Sequence, residues 1–249
     1  PLPAPRWDFA VSVSGPLVEG IHAEAKALWV RQQPQTLRRR FESLRQMVAA
    51  RFEPFRQVAQ AAFLVRDNLR NRNTIQRVLL SALGHARHSA WLVTPYFAPG
   101  RKLRKALTHA AQRGVSVTLL IGVGQFRMQD AVAQSFYPRL LRAGVKIAEY
   151  RRTQLHAKVA VIDDEWATVG SSNFDGLSLF VNHEANIIVL DDGFARSLRD
   201  YIAQGVRESV TVGAEQLARL SWSRRIFNRL AYLLYKVVLQ AITAGRYTK

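Results

Sequence analysis

Between residues 59 and 205, apolar runs of strand length alternate with amphipathic runs of helix length, and that order leaves few folds open. Strands are predicted at 60–65, 89–94, 115–121 and 145–149, with helices between them at about 72–86, 101–113 and 128–143. Gly114 and Gly144 stand where two of the helices should stop, because glycine takes the left-handed backbone of a helix end without strain. Three more strands, 155–162, 166–170 and 185–190, follow in close succession, then a helix at about 193–204. This order predicts an α/β layer fold with a mixed or largely parallel sheet. With 249 residues, 48% of them hydrophobic, the chain can fill such a core.

The flanks differ from this body. Residues 1–30 hold a β-prone segment, Phe9-Ala-Val-Ser-Val13, then a Gly15-Pro16 break and a helical pattern through Ile21, Ala25, Leu28 and Trp29. Residues 31–58 are arginine-rich and are read as a solvated helical connector. Residues 206–249 show no clear strand. One internal likeness stands out. Asp8-Phe-Ala-Val-Ser-Val13, followed by a turn and a helix, parallels Glu184-Ala-Asn-Ile-Ile-Val189, also followed by a turn and a helix. Residues 1–30 then read as the tail of a first repeat, with 59–205 as the second.

The chemistry concentrates in Leu155-His-Ala-Lys-Val-Ala-Val-Ile-Asp163 and Gly170-Ser-Ser-Asn173. On a strand, residues two apart share a face at roughly 6–7 Å. His156 and Lys158 should therefore stand together, with Leu155, Ala157, Val159 and Val161 turned to the core. A compact ammonium beside an imidazole makes a phosphate-sized site with a nucleophile or proton carrier in it. Ser171 and Asn173 can add hydroxyl and amide donors. Glu184 is placed to orient the imidazole, as the third member of a triad does.

His-x-Lys, four residues, Asp, six residues, then Gly-Ser-x-Asn is the signature of the phospholipase D superfamily, and this chain resembles that family at every position of it. It looks most like the bacterial cardiolipin synthase branch. That likeness is carried by the His156–Asp164 and Trp166–Asn173 stretches, Leu177-Ser-Leu179, Asn182-His-Glu-Ala-Asn186, Arg66-Asp-Asn68 and Pro95-Tyr-Phe97. The resemblance covers about residues 1–205 and implies an α/β/α sandwich with a mixed central sheet and helices on both faces. It implies that His156 is one of two active-site histidines and that Glu184 hydrogen-bonds to it. Lys158, Ser171 and Asn173 would bind the phosphoryl oxygens, and Asp163 would be the motif acid. It further implies phosphatidyl transfer through a phosphohistidine, with no metal and no cofactor. The family's centre uses two copies of the motif, whereas His22, His85, His88, His109 and His183 lack a lysine two residues on. The chain is thus expected to be the second, catalytic half of a two-motif enzyme, completed by an N-terminal half or by a second copy of itself.

Composition narrows the partners. The sequence holds no cysteine, which excludes disulfide scaffolds, thiolate metal centres and thiol catalysis. A net charge of +18 calls for a polyanion. Anionic phospholipid and the membrane surface are the expected partners. Nucleic acid, cut by a one-motif homodimeric nuclease or phosphodiesterase, is the rival. No acidic residue follows Glu215, and 221–244 reads as a basic amphipathic helix. Arg225, Arg229 and Lys236 fall on one stripe, and Phe227, Leu230, Leu234 and Val238 on the other. No signal peptide is read after Pro1. The resemblance implies the bacterial inner membrane, held peripherally, as the location.

Overall fold

The computed structural model describes residues 5–32, 60–67, 71, 73–175 and 183–244. The chain divides into two compact units, Pro1–Val11 with Leu64–Lys249, and Ser12–Phe63. The smaller unit contains α1 (Leu17–Gln32). From residue 33 the arginine-rich connector lies outside the described residues.

The larger unit is built on an eight-stranded sheet. Its strands are β1 (Ala61–Arg66, of which Leu64–Arg66 belong to this unit), β2 (Ser89–Thr94), β4 (Ser116–Gly122), β5 (Lys146–Tyr150), β6 (Val159–Ile162), β7 (Trp166–Gly170), β9 (Glu184–Leu190) and β10 (Val210–Val212). Their order is β1-β9-β7-β6-β2-β4-β5-β10. β2, β4 and β5 run parallel, joined through α3 (Arg101–Gln112) and α4 (Arg127–Arg142). β6 turns antiparallel to β2, β7 to β6 and β9 to β7. Two short strands, β3 (Phe97–Ala98) and β8 (Phe174–Asp175), pair separately.

Alternation along the strands feeds two cores. Leu92, Leu119, Ile121, Ile147 and Ala160 face α2 (Thr74–His85), α3 and α4. Val93, Leu120, Ala148, Val159 and Val161 face α5 (Asp192–Arg207). Leu155 and Ala157 join that second core, as their alternation predicts. Helices therefore cover both faces of a mixed sheet. Gly114 (φ +94°) and Gly144 (φ +91°) do end α3 and α4 in the left-handed region. Asp191 caps α5 by accepting the Phe194 N–H at 2.7 Å.

Three expectations are corrected. Residues 206–249 do contain a strand: β10 pairs with β5, but three residues are too short to show a period. The strand expected at 155–162 begins only at Val159, and ahead of it Leu155 makes a single parallel bridge to Trp7. Phe9–Val13 has strand-like alternation but joins no ladder among the described residues.

The chain after β10 forms α6 (Ala214–Ala218) and α7 (Trp222–Ala244). α7 packs on α4, with Asn228 and Ala231 buried, Tyr232 edge-on to Phe136 at 5.2 Å and Phe227 and Tyr235 half-buried. Phe227 therefore belongs to the docked face and not to a free apolar stripe. Arg225 is likewise engaged, donating to the carbonyls of Leu217, Ala218 and Leu220 at the end of α6. No described helix is long and apolar enough to cross a membrane.

Candidate active site

The sheet topology gathers the motif residues at one edge. β6 starts beside the end of β2, since Val159 pairs with Val93. β7 ends there, with Val169 opposite Val159, and β9 starts there, with Asn186 opposite Gly170. This is the edge at the carboxyl ends of parallel strands β2, β4 and β5, where open α/β sheets hold ligands.

His156 stands just ahead of β6, about a third exposed, and its Nδ1 lies 2.7 Å from Asp8 Oδ2. An ionised carboxylate only accepts, so Nδ1 carries a proton, and in the neutral imidazole Nε2 is then the nitrogen with the lone pair. The acid that orients His156 is therefore Asp8 and not the expected Glu184. Asp8 is delivered by its neighbour. Trp7 donates its N–H to the Gln154 carbonyl at 2.9 Å, and its own carbonyl accepts from His156 N (2.8 Å) and Ala157 N (3.2 Å). The indole stacks on Tyr150, with ring centroids 5.0 Å apart. Gly205 of α5 makes room for it, because a Cβ there would stand 2.3 Å from the ring. Asp8 is the site residue that the spacing argument missed. The signal that could have found it is the internal likeness, which sets Asp8 opposite Glu184 as the acid opening each segment.

Lys158 is buried, and its ammonium donates to the His156 carbonyl. Burial holds that ammonium below the ordinary lysine range, although the nearby Asp8 and Glu184 carboxylates favour its charged form. Ser171 donates its hydroxyl to Glu184 Oε2 and accepts the Ala185 N–H at 3.0 Å. Glu184 is itself buried at the start of β9. Gly170 permits this approach, because a Cβ on it would lie 2.4 Å from the Ala185 carbonyl oxygen. Asn173 sits two residues past Ser171, immediately before β8, and is half-buried. Arg66 and Asp67 of the Arg66-Asp-Asn68 segment are both buried at the end of β1, while Leu177–Leu179 and Asn182 lie outside the described residues.

Asp163 is not at this edge. It lies past the far end of β6, with φ +54°, and its carboxylate accepts the backbone N–H groups of Arg87 (2.7 Å), His88 (2.7 Å) and Ser89 (2.8 Å). Burial would raise its pKa, but the hydrogen bonds from Ser89, Arg87 and His88 outweigh it and hold the carboxyl below the usual range. The motif acid thus fastens the start of β2 to the turn after β6.

A family model described as cardiolipin synthase, PLD-like domain matches residues 79–205, just over half of the chain. Cardiolipin synthase B of Salmonella typhi is 39% identical over 224 residues, covering 88% of this chain and 52% of that protein. The chain thus spans about half the length of that curated relative. Among solved structures, a phosphatidylserine synthase of Haemophilus influenzae Rd KW20 superposes with a TM-score of 0.57 at 14% identity, over 88% of this chain and 56% of that one. Nuc of Salmonella typhimurium, a phospholipase D family member, gives 0.52 at 21% identity, over 62% of this chain and 98% of that one. These two likenesses concern the fold. From the family model and the close relative, the chain belongs to the phospholipase D-like family of the cardiolipin synthase type.

Proposed function

We propose that this chain is the second catalytic half of a cardiolipin synthase, moving a phosphatidyl group from one phosphatidylglycerol to the terminal glycerol hydroxyl of another. The observation that carries the reading is the Asp8–His156 pair, which leaves Nε2 free beside the buried Lys158.

In the first step a histidine nitrogen attacks phosphorus, and the bond from phosphorus to the departing glycerol oxygen breaks. A second histidine, supplied by the other half, protonates that oxygen. In the next step a hydroxyl of a second lipid attacks the phosphohistidine and gives its proton to the same base. Cardiolipin forms, glycerol is released and both histidines return to their starting state. Nucleophile and proton carrier alike would use the Nε2 that Asp8 leaves free. Lys158, Ser171 and Asn173 hold the phosphoryl oxygens, and the ammonium offsets their developing charge. Glu184 holds Ser171 in place. By its correspondence to Asp8, it also serves the histidine of the other half. Residues 1–30 act as the last piece of the first repeat, and the protein works as a peripheral enzyme of the bacterial inner membrane.

The test joins this chain to the first half of the Salmonella typhi relative and supplies phosphatidylglycerol vesicles. Cardiolipin and glycerol should appear in equal amounts and disappear with His156→Ala. Phosphatidic acid without cardiolipin would overturn the transfer, and cleavage of DNA with no action on the lipid would replace it with the nuclease reading.

A further inference from the structure

α7 binds α4 through one face only. The opposite face presents Ile226, Leu230, Leu233, Leu234, Val237 and Val238 to solvent, with Leu230 58% and Val237 60% exposed, and Trp222 stands 76% exposed at its start. The exposed stripe runs along most of a helix about 35 Å long. At 100° per residue Arg229 and Lys236 border this stripe on one side.

The same helical layer carries a second unusual surface. α3 and α4 enclose a groove of about 700 Å³ edged by Arg101, Arg104, Lys105, His109, Arg139 and Arg142, with no carboxylate in its lining. None of its arginines or its lysine makes an ion pair among the described residues. α4 connects the two surfaces. Its Gln134 accepts from Arg224 and Asn228 of α7, while its Arg139 and Arg142 wall the groove. Arg104 lies over the Phe136 ring, which in turn meets Tyr232 of α7.

We infer that the α3–α4–α7 layer is a membrane-docking face, in which the outer stripe of α7 enters the acyl boundary of an anionic bilayer and the α3–α4 groove takes lipid headgroup phosphates. Apolar residues alone would suit a second protein, and unpaired arginines alone would suit nucleic acid. An apolar stripe bordered by cations, beside a groove whose arginines and lysine make no ion pair among the described residues, matches an interface that is apolar within and anionic at its surface. Trp222 suits the headgroup level. The groove's lining includes none of His156, Lys158, Ser171, Asn173 or Glu184, so it is a binding site other than the reaction centre. The inference rests on the lipid reading for its partner.

The test uses the whole chain with His156→Ala, so that no turnover enters, and vesicles of equal parts phosphatidylglycerol and phosphatidylcholine. Leu230→Ser with Val237→Ser should weaken co-sedimentation at least tenfold. Arg101→Gln, Lys105→Gln and Arg139→Gln together should weaken it at least fivefold, and should remove the preference over pure phosphatidylcholine vesicles. Both sets change exposed side chains, and unchanged melting temperatures show that the fold survives. Unaltered vesicle binding by either set overturns the proposal. So does a dimer that Leu230→Ser with Val237→Ser splits, or a groove that holds duplex DNA more tightly than vesicles at the same salt. Lost docking with retained transfer by the two-motif enzyme, or the reverse, separates this inference from the catalytic one.

Discussion

At the start of β6, His156 and Lys158 stand at a partly open edge, with Asp8 on the imidazole, and with burial and the Asp8, Glu184 and Asp175 carboxylates acting on the ammonium. At the other end of the same strand, about 13 Å away for four residues, Asp163 spends its acceptors on three backbone N–H groups. One seven-residue spacing thus joins a reactive end to an architectural end. Asp163 fixes the turn after β6 to the start of β2, and a short acid that tolerates a left-handed backbone can do so from a tight turn. Changes at the first end should alter rate and spare the fold; changes at the second should do the reverse.

The largest effect is expected from His156→Ala. In the two-motif enzyme it should cost at least a thousandfold in turnover, about 4 kcal/mol of barrier, with an unshifted melting curve. Activity within tenfold of wild type would remove His156 from the reaction. Asp8→Asn should cost about a hundredfold, because an amide cannot offset an imidazolium charge. Glu184→Gln, which leaves the Asp8–His156 pair intact, should slow turnover through Ser171 and the second histidine. Equal kcat for wild type and Asp8→Asn would show the pair to be decorative.

A subtler break comes from Gly205→Ala, 2.3 Å from the Trp7 ring. It should push Trp7 off Tyr150, loosen Asp8 and lower kcat about tenfold, and Trp7→Leu in the same chain should relieve the clash without restoring the rate. At the far end of β6, Asp163→Asn should lower stability by about 2 kcal/mol through its charged hydrogen bonds while kcat stays near wild type. The sign with pH follows. Asp163 titrates below the ordinary carboxylate range when folded, so its contribution is full above about pH 4 and fades as pH falls through the folded pKa. Urea melts of wild type and Asp163→Asn should therefore converge in acid. For Lys158 the shift is also downward, so its ammonium is complete below the folded pKa and lost above it. The alkaline limb of kcat/KM should begin below the ordinary lysine range near 10.4, and Lys158→Arg should move it upward.

Much of this architecture is legible in the residues. The strand and helix periods lay out the parallel core, and Gly114 and Gly144 mark where α3 and α4 end. The spacing of His156, Lys158, Ser171 and Glu184 brings them to one edge once β6, β7 and β9 run antiparallel. The pairing of acid with imidazole was not legible from spacing. Asp8 lies 148 positions before His156, and only the fold, through the Trp7–Leu155 bridge, makes them neighbours. Phe227 and Arg225 show the same limit. Helical periodicity assigns them to stripes, but which stripe meets the domain depends on what α4 and α6 offer.

The central claim is that Asp8 fixes the His156 imidazole with its reactive nitrogen free. Nitrogen-15 spectra of the labelled imidazoles, recorded above the histidine titration, test it most directly. The Asp8–His156 geometry predicts a proton held on Nδ1 of His156 and an unprotonated Nε2, with mixed tautomers in Asp8→Asn. A proton on Nε2 in the wild-type chain, unchanged by Asp8→Asn, would contradict it.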